Sequence, residues 1–331
     1  MNEYLASFSS LPLGLRQPYQ DFLHLCGLTD EGDCDHTVLL LDDSDHILAC
    51  GSLRGNVLKQ IAVDPHAEGS GFCAQVVTEL VEEAFRRGNS HLFLYTKPTH
   101  RNLFLSLGFY PVMETREVLM LENRPGGLDA FLCQLPHPQG KVGAVVCNCN
   151  PFTLGHRHLI EQARGQCDAL LVFVLSEDAS MFSSRDRYEL VCQGTENLTN
   201  VFVVRSQDYL ISRATFPMYF LKETADPQQV RCDLDLLLFA QRIAPALGVS
   251  VRFVGEEPFD PVTRLYNQRM KALLPPLGIE VVEIPRYRDI SASRVRKLIQ
   301  EGRVRETQPL LPASTYDYCL RHFGGDAPSQ G

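Results

Sequence analysis

Between Val38 and Val63 apolar residues gather in three short runs, Val38–Leu41, Ile47–Leu53 and Lys59–Val63, parted by Asp and Gly turns. That pattern predicts strands. From Phe72 to Arg87 the apolar spacing lengthens to three and four residues (Val76, Val77, Leu80, Val81, Ala84, Phe85), which predicts an amphipathic helix. A strand at Leu92–Thr96, a short helix from Asn102 that stops at Gly108, and a strand near Glu117–Leu121 follow. Between Asn123 and Gly140 the chain turns rich in Pro and Gly (Pro125, Gly126, Gly127, Pro136, Pro138, Gly140), a composition that breaks regular structure. The predicted organisation is a first domain over residues 1–130, a linker over 131–141 and a second domain over 142–331.

Beyond Val142 the rhythm changes to strand and helix in alternation. Strands are predicted at Val142–Val146, Leu170–Leu175, Val201–Val204, Ser250–Val254 and Glu280–Ile284. Helical spacing appears at Arg185–Gln193, Asp233–Ala246, Thr263–Leu274 and Ser293–Gln300. The alternation predicts an α/β fold with a doubly wound parallel sheet and a ligand at the carboxyl ends of its strands. No internal repeat or long low-complexity segment is present, and the tail from Gly324 is expected to fray.

Composition narrows the class of function. A chain of 331 residues suits two domains, and 44% hydrophobic residues suffice for a core in each. The formal net charge of -9 argues against a general nucleic-acid or membrane-surface role. No apolar run reaches the roughly 18 residues of a membrane helix. The start of the chain carries Glu3 and lacks the basic-then-apolar pattern of a secretory leader. Its 11 cysteines are scattered without a Cys-x-x-Cys zinc pattern, which suits a reducing cytoplasm. The one close pair, Cys147 and Cys149, is expected to pack beside the segment described next.

That segment is Val142–Ile160. An apolar strand breaks at Asn148-Cys149-Asn150-Pro151, and Thr153-Leu154-Gly155-His156 opens a helix. Such a junction suits phosphate, because unpaired backbone N–H groups and the positive end of the helix dipole meet there. Gly155 admits a close backbone, His156 supplies a donor that titrates near neutrality, and Thr153 shares its face of the first turn. Far along the chain, Ile290-Ser291-Ala292-Ser293-Arg294-Val295-Arg296 opens another helix, which Ser291 or Ser293 can cap. Around it cluster Arg286, Arg288, Arg294, Arg296 and Lys297, a set expected to neutralise phosphate. No Gly-x-x-x-x-Gly-Lys-Ser/Thr loop occurs, so a P-loop mechanism is not predicted. Arg185, Arg187, the stretch Asp208–Ser212 with Thr215–Pro217, and Gly255–Asp260 are further candidates for a second-substrate pocket, each equally readable as a turn or cap.

The two motifs together resemble the signatures of the nucleotidylyltransferase superfamily, Thr/His-x-Gly-His and Ile-Ser-x-Ser/Thr-x-x-Arg. The resemblance implies a Rossmann-like fold and transfer of a nucleotidyl group from a nucleoside triphosphate with release of pyrophosphate. It implies His156 and Thr153 as catalytic residues. Asn150, Pro151, Phe152, Gly155, Ser291, Ser293, Arg294 and Arg296 would bind ATP, with Mg²⁺ on its phosphates. The first domain resembles the GCN5-related N-acetyltransferase fold. Gly69 and Gly71 match the glycines of that family's pyrophosphate turn, Asn102 its asparagine beside the pantetheine arm, and Gly108-Phe109 its Gly-Phe. His66 stands where the family usually has Gln or Arg. Gly69, Gly71 and Asn102 are the residues implied for a pantetheine arm.

The pairing of these domains, with local text such as residues 209–222, 233–258 and 263–299, resembles the citrate lyase synthetase family. That resemblance implies activation of acetate by ATP to acetyl-AMP, then acetylation of the thiol of a dephospho-CoA-derived prosthetic group on the citrate lyase acyl carrier subunit. Acetate is already ionised at neutral pH, so a site with donors and no evident base suits it. Two other functions fit the residues: a nucleotidylyltransferase for a phosphorylated small molecule, and a non-catalytic nucleotide- or carrier-binding regulator.

Overall fold

In the computed structural model, residues 3–176, 181–210, 216–221 and 226–324 are described. The chain forms two compact units, residues 1–130 with 215–234, and residues 131–214 with 235–331.

The first unit is built on strands β1 (Glu3–Phe8), β2 (His36–Asp42), β3 (Ile47–Arg54), β4 (Val57–Val63), β5 (Phe93–Thr96), β6 (Tyr110–Glu114) and β7 (Leu119–Glu122). They make one sheet in the order β1-β2-β3-β4-β5-β7-β6. Every neighbouring pair is antiparallel except β4 and β5, which are parallel and pair only at Val57 with Phe93 and Leu58 with Leu94. Helix α1 (Leu13–Leu25) covers one face, burying Tyr19, Phe22 and Leu23 against Leu39, Leu41 and Cys50. Helix α2 (Phe72–Arg86) covers the other, where the stripe Val76, Val77, Leu80 and Ala84 meets Val38, Leu40, Ala49 and Leu58. A short α3 (Arg101–Ser106) precedes β6.

Residues 216–221 belong to this first unit although they lie far along the chain. Tyr219 donates its hydroxyl hydrogen to the Tyr95 carbonyl (3.5 Å) and accepts the Thr29 N–H at its own carbonyl (3.2 Å). Phe216 meets the Tyr95 ring edge-on at 5.5 Å. The Pro- and Gly-rich stretch after β7 holds α4 (Gly127–Cys133), whose Leu128, Phe131 and Leu132 are buried.

The second unit contains strands β8 (Val142–Cys147), β9 (Ala169–Val174), β10 (Val201–Arg205), β11 (Val249–Gly255) and β12 (Glu280–Ile284). They run parallel in the order β10-β9-β8-β11-β12. The first strand is central: the chain winds outward through β9 to β10, then crosses to β11 and β12. The direction of winding reverses between β8 and β11, and the crevice beyond their carboxyl ends is where such sheets bind ligands. Helices α5 (Leu154–Arg164), α6 (Ser184–Thr195), α10 (Ala292–Gln300) and α11 (Ala313–Phe323) share one apolar core with alternate strand residues, among them Val145, Val172, Val251 and Phe253. The predicted helix Asp233–Ala246 is instead α7 (Pro227–Leu238), a π-helical turn Phe239–Ile243 and α8 (Ala244–Leu247). Helix α9 (Pro261–Leu273), capped by Asp260, joins β11 to β12.

Candidate active site

The loop leaving β8 is held from inside the protein by two arginines. Arg187, on α6 and fully buried, donates to the Asn148 carbonyl (2.8 Å), to the Asn148 side chain and to the Phe182 carbonyl (3.2 Å). Arg296, on α10, donates from Nη1 to the Asn150 carbonyl at 2.5 Å. The side-chain oxygen of Asn150 accepts the Phe182 N–H (3.3 Å). Cys149 sits in the left-handed region (φ 51°), the Asn150–Pro151 peptide is cis, and Phe152 is wholly buried. The ring of Phe152 lies so close to Gly194 that a Cβ there would stand 2.3 Å from it. The Asn148 and Asn150 carbonyls are thus both held by arginines. Cys147 at the end of β8 and Cys149 within the loop are both buried, with Sγ atoms 2.9 Å apart.

Thr153 then caps α5, and its partner is His156. The Thr153 N–H donates to Nδ1 of His156 (3.1 Å), with the Thr153 hydroxyl 3.0 Å from the same nitrogen and 3.4 Å from the His156 N–H. An N–H can only donate, so Nδ1 is an acceptor and the ring proton resides on Nε2. Nε2 has no hydrogen-bond partner among the described residues. Burial, and then the Arg296 charge, push the imidazole pKa down to about 4. His156 is therefore neutral at physiological pH and acts as an Nε2–H donor; the expected titration near neutrality does not occur. His156 as a whole residue is partly exposed.

The second motif meets the first. A Cβ on Gly155 would lie 3.5 Å from the Ile290 carbonyl, an ordinary contact, so the two helix starts lie side by side. Ser291 caps α10 by accepting the Arg294 N–H (3.2 Å), and the Ser293 hydroxyl donates to Ser291 (3.1 Å). Ser293 and Arg294 are exposed, while Arg296 is half-buried. Burial lowers the Arg296 pKa, yet a guanidinium remains charged.

The other expected cations have different work. Arg286 pairs with Glu257 (3.5 Å), donates to the Ile290 carbonyl (3.3 Å) and lies over the Phe259 ring. Arg288 lies over Tyr287, and Lys297 is 3.9 Å from Glu301. Among the described residues only Arg296 of this cluster bonds to the loop. Arg187 cannot reach a ligand, because burial commits it to the loop, and exposed Arg185 pairs with Glu189. Glu257 accepts the Phe259 and Asp260 N–H groups as a turn former. Tyr209 is buried against Phe131, and Ile211, Ser212 and Thr215 lie outside the described residues. Sequence patterns did not single out Arg187 as the loop's internal anchor; the only signal was a cation inside a helix start.

In the first unit, Gly69 and Gly71 both adopt positive φ (82° and 85°), Gly71 stands at the start of α2 without a capping side chain, and Asn102 is exposed on α3. The His66 N–H donates to Asp64. No group of three or more His, Cys, Asp and Glu able to hold a metal occurs among the described residues, and no helix there is long and apolar enough to cross a membrane.

A doubly wound parallel sheet with these two helix starts at its point of reversal, joined to an acetyltransferase-like unit, defines a two-domain enzyme of nucleotidylyltransferase type. Comparison with known proteins makes the class specific. Residues 142–319 match the family model described as the citrate lyase ligase C-terminal domain, and residues 3–109 match the acetyltransferase (GNAT) family. The citrate (pro-3S)-lyase ligase of Klebsiella pneumoniae is 42% identical over 92% of this chain and 93% of its own. The protein of that name from Escherichia coli (strain K12) is 39% identical over 93% of this chain and 92% of its own. A phosphopantetheine adenylyltransferase of Streptococcus gordonii is 26% identical over 48% of this chain and 82% of its own. The chain belongs to the citrate lyase ligase family, and it is an enzyme.

Proposed function

We propose that the enzyme activates acetate with ATP and passes the acetyl group to the prosthetic-group thiol of the citrate lyase acyl carrier subunit, switching the lyase on. In the first step an acetate oxygen attacks the α-phosphorus, the bond to the β-phosphate oxygen breaks, and pyrophosphate leaves with the electron pair. In the second the thiol sulfur attacks the acetyl carbon, AMP departs, and the thiol proton is released.

Charge accumulates on the α-phosphoryl oxygens and the leaving group, so preorganised donors lower the barrier most. His156 gives its Nε2–H to the α-phosphoryl oxygens, and Thr153 holds the ring in that tautomer. The N–H groups of Asn150 and Phe152 position the nucleotide; Pro151 has none and shapes the turn. Ser291, Ser293 and Arg296 hold the β- and γ-phosphates at the start of α10, with Arg294 outside them. Mg²⁺ would enter as the ATP complex, on the phosphates. Within residues 1–130, Gly69, Gly71 and Asn102 receive the pantetheine-like arm, while 142–331 carry out adenylylation. Free cysteines fit a cytoplasmic setting.

One observation carries the proposal: the Thr153 N–H bond to Nδ1 that fixes His156 as a neutral donor beside the Arg296-held loop. The test is to incubate the enzyme with MgATP and labelled acetate and to follow labelled acetyl-AMP and acetate-dependent ATP–pyrophosphate exchange. Labelled acetyl-AMP is expected. Exchange that needs a phosphomonoester and ignores acetate would refute the proposal.

A further inference from the structure

Strands β4 and β5 begin side by side and then part. They pair at Val57 with Phe93 and at Leu58 with Leu94, yet β4 continues to Val63 and β5 to Thr96. Their far edges are occupied, β4 by β3 and β5 by β7, with Tyr95 opposite Met120 and Thr96 opposite Leu119. Their facing edges are left as a slot whose backbone groups have no strand partner.

A segment from far along the chain fills that slot. The Tyr219 hydroxyl accepts the Gln60 N–H of β4 and donates to the Tyr95 carbonyl of β5 (3.5 Å), so it bridges the strands where their ladder stops. The Tyr219 carbonyl accepts both the N–H (3.2 Å) and the hydroxyl (3.3 Å) of Thr29. The Met218 N–H donates to Glu31 (2.9 Å), whose other oxygen lies 2.6 Å from Nζ of buried Lys59 on β4. Phe216, Tyr219, Phe220 and Leu221 are all buried. Main-chain donors and acceptors at strand edges, with apolar groups sunk between them, are also what holds an extended amide-bearing ligand on a sheet.

The slot opens toward the residues implied for the pantetheine-like arm. The strands part toward their carboxyl ends; β4 runs on to the Gly69–Gly71 turn, and β5 to α3 with Asn102. His100, just before α3, is within electrostatic reach of Glu68 beside the glycine turn, so the two approaches face each other across the mouth.

We propose that residues 216–221 are a strap that occupies the arm's own channel and gives way when the arm enters between β4 and β5. The arm is then admitted only as far as its amides replace the bonds that Tyr219 and Met218 make. The proposal rests on the arm-binding role given to the first unit above and adds a gate to it.

The test follows amide hydrogen exchange of the full-length enzyme with and without pantetheine, with ATP present to fill the nucleotide cradle. The Kd for pantetheine is measured for wild type, Tyr219→Phe and Thr29→Val. Pantetheine should speed hydrogen exchange at residues 216–221 of the wild type at least threefold. Tyr219→Phe keeps the ring and frees the Gln60 N–H and the Tyr95 carbonyl, so its Kd should fall at least threefold, and Thr29→Val should lower it by a smaller factor. Acetate-dependent ATP–pyrophosphate exchange should stay within twofold in both. Should a variant not fold, the wild-type measurement decides. Pantetheine binding that leaves hydrogen exchange at 216–221 unchanged or slower, or a Kd that stays or rises in the folded variants, overturns the strap and leaves the arm site standing. No binding to wild type or to either variant overturns the arm site and the strap together.

Discussion

Two helices of this chain begin just after a strand and a turn, and they solve the same electrostatic problem in opposite ways. At α2 the start is more open: Gly71 stands in the left-handed region with no cap of its own, Ser70 Oγ accepts only the Phe72 N–H at 3.4 Å, and a Cβ on Gly69 or Gly71 would meet nothing within 4 Å. The Phe72 N–H has Ser70 and the Ala74 N–H has the Gly71 carbonyl, so a ligand here would meet few spare amides and no aimed side chain. At α5 the start is closed, because Thr153 and His156 bond reciprocally and use up both the first-turn N–H and Nδ1. Closing the cap removes backbone donors and converts the histidine into an oriented one. An open helix start suits adaptable binding; a closed start with one aimed side chain suits a transition state.

Replacing the aimed donor should have the largest effect. His156→Ala is expected to cut acetate-dependent exchange by about 10²- to 10³-fold, the size seen when one oxyanion donor is lost, with a much smaller change in ATP binding. Equal losses in both would reduce α5 to a binding device like α2. A pH signature should accompany it. The folded pKa of about 4 lies below the ordinary value of 6.5, so the histidine's contribution to stability is complete above pH 6.5 and fades as pH falls toward 4. Melting temperature followed across that window should drop less in His156→Ala than in the wild type.

Arg296 ties α10 to the loop, and its removal should weigh next. Loss of a charge-assisted hydrogen bond is worth about 1.5–3 kcal/mol, so Arg296→Ala should raise the ATP KM roughly tenfold to a hundredfold. The acetate KM should move far less. Arg296→Lys keeps charge without the planar fork and should fall between. A change in acetate KM alone would detach Arg296 from the nucleotide.

Much of this was legible beforehand, and the exceptions have physical causes. The core strands of both sheets and the helices α2, α5, α6, α9 and α10 follow from apolar spacing, because each buries one face. The helix starts at Thr153 and Ser291 follow from their side-chain chemistry. By contrast, β1 is an edge strand with mostly exposed residues, and its pairing with β2 comes from partner contacts rather than pattern. Residues 216–221 read as a loop of the second domain, but Phe216 and Tyr219 find their burial against Tyr95, a contact across 124 residues that no local period encodes. Arg187 read as a candidate for the second-substrate pocket and Arg252 carried no signal; only burial shows one to be an internal clamp and the other a cation with idle donors. The neutrality of His156 likewise depends on a partner and on burial, not on residue type.

The smallest expected effect tests the open side of the comparison. Gly71→Ala places a Cβ in empty space, so its cost is confined to the backbone at φ 85°, about 1 kcal/mol or a fall in melting temperature of roughly 2–4 °C. Acetate-dependent exchange should stay within twofold, because the altered helix start belongs to the first unit and the nucleotide cradle to the second. Acetyl transfer to the carrier thiol should slow several-fold, because α2's amides can no longer sit where the arm needs them. Slower exchange with unchanged carrier acetylation would reverse the roles assigned to the two helix starts. No change in either would leave the Gly69–Gly71 turn as a way of beginning a helix and nothing more.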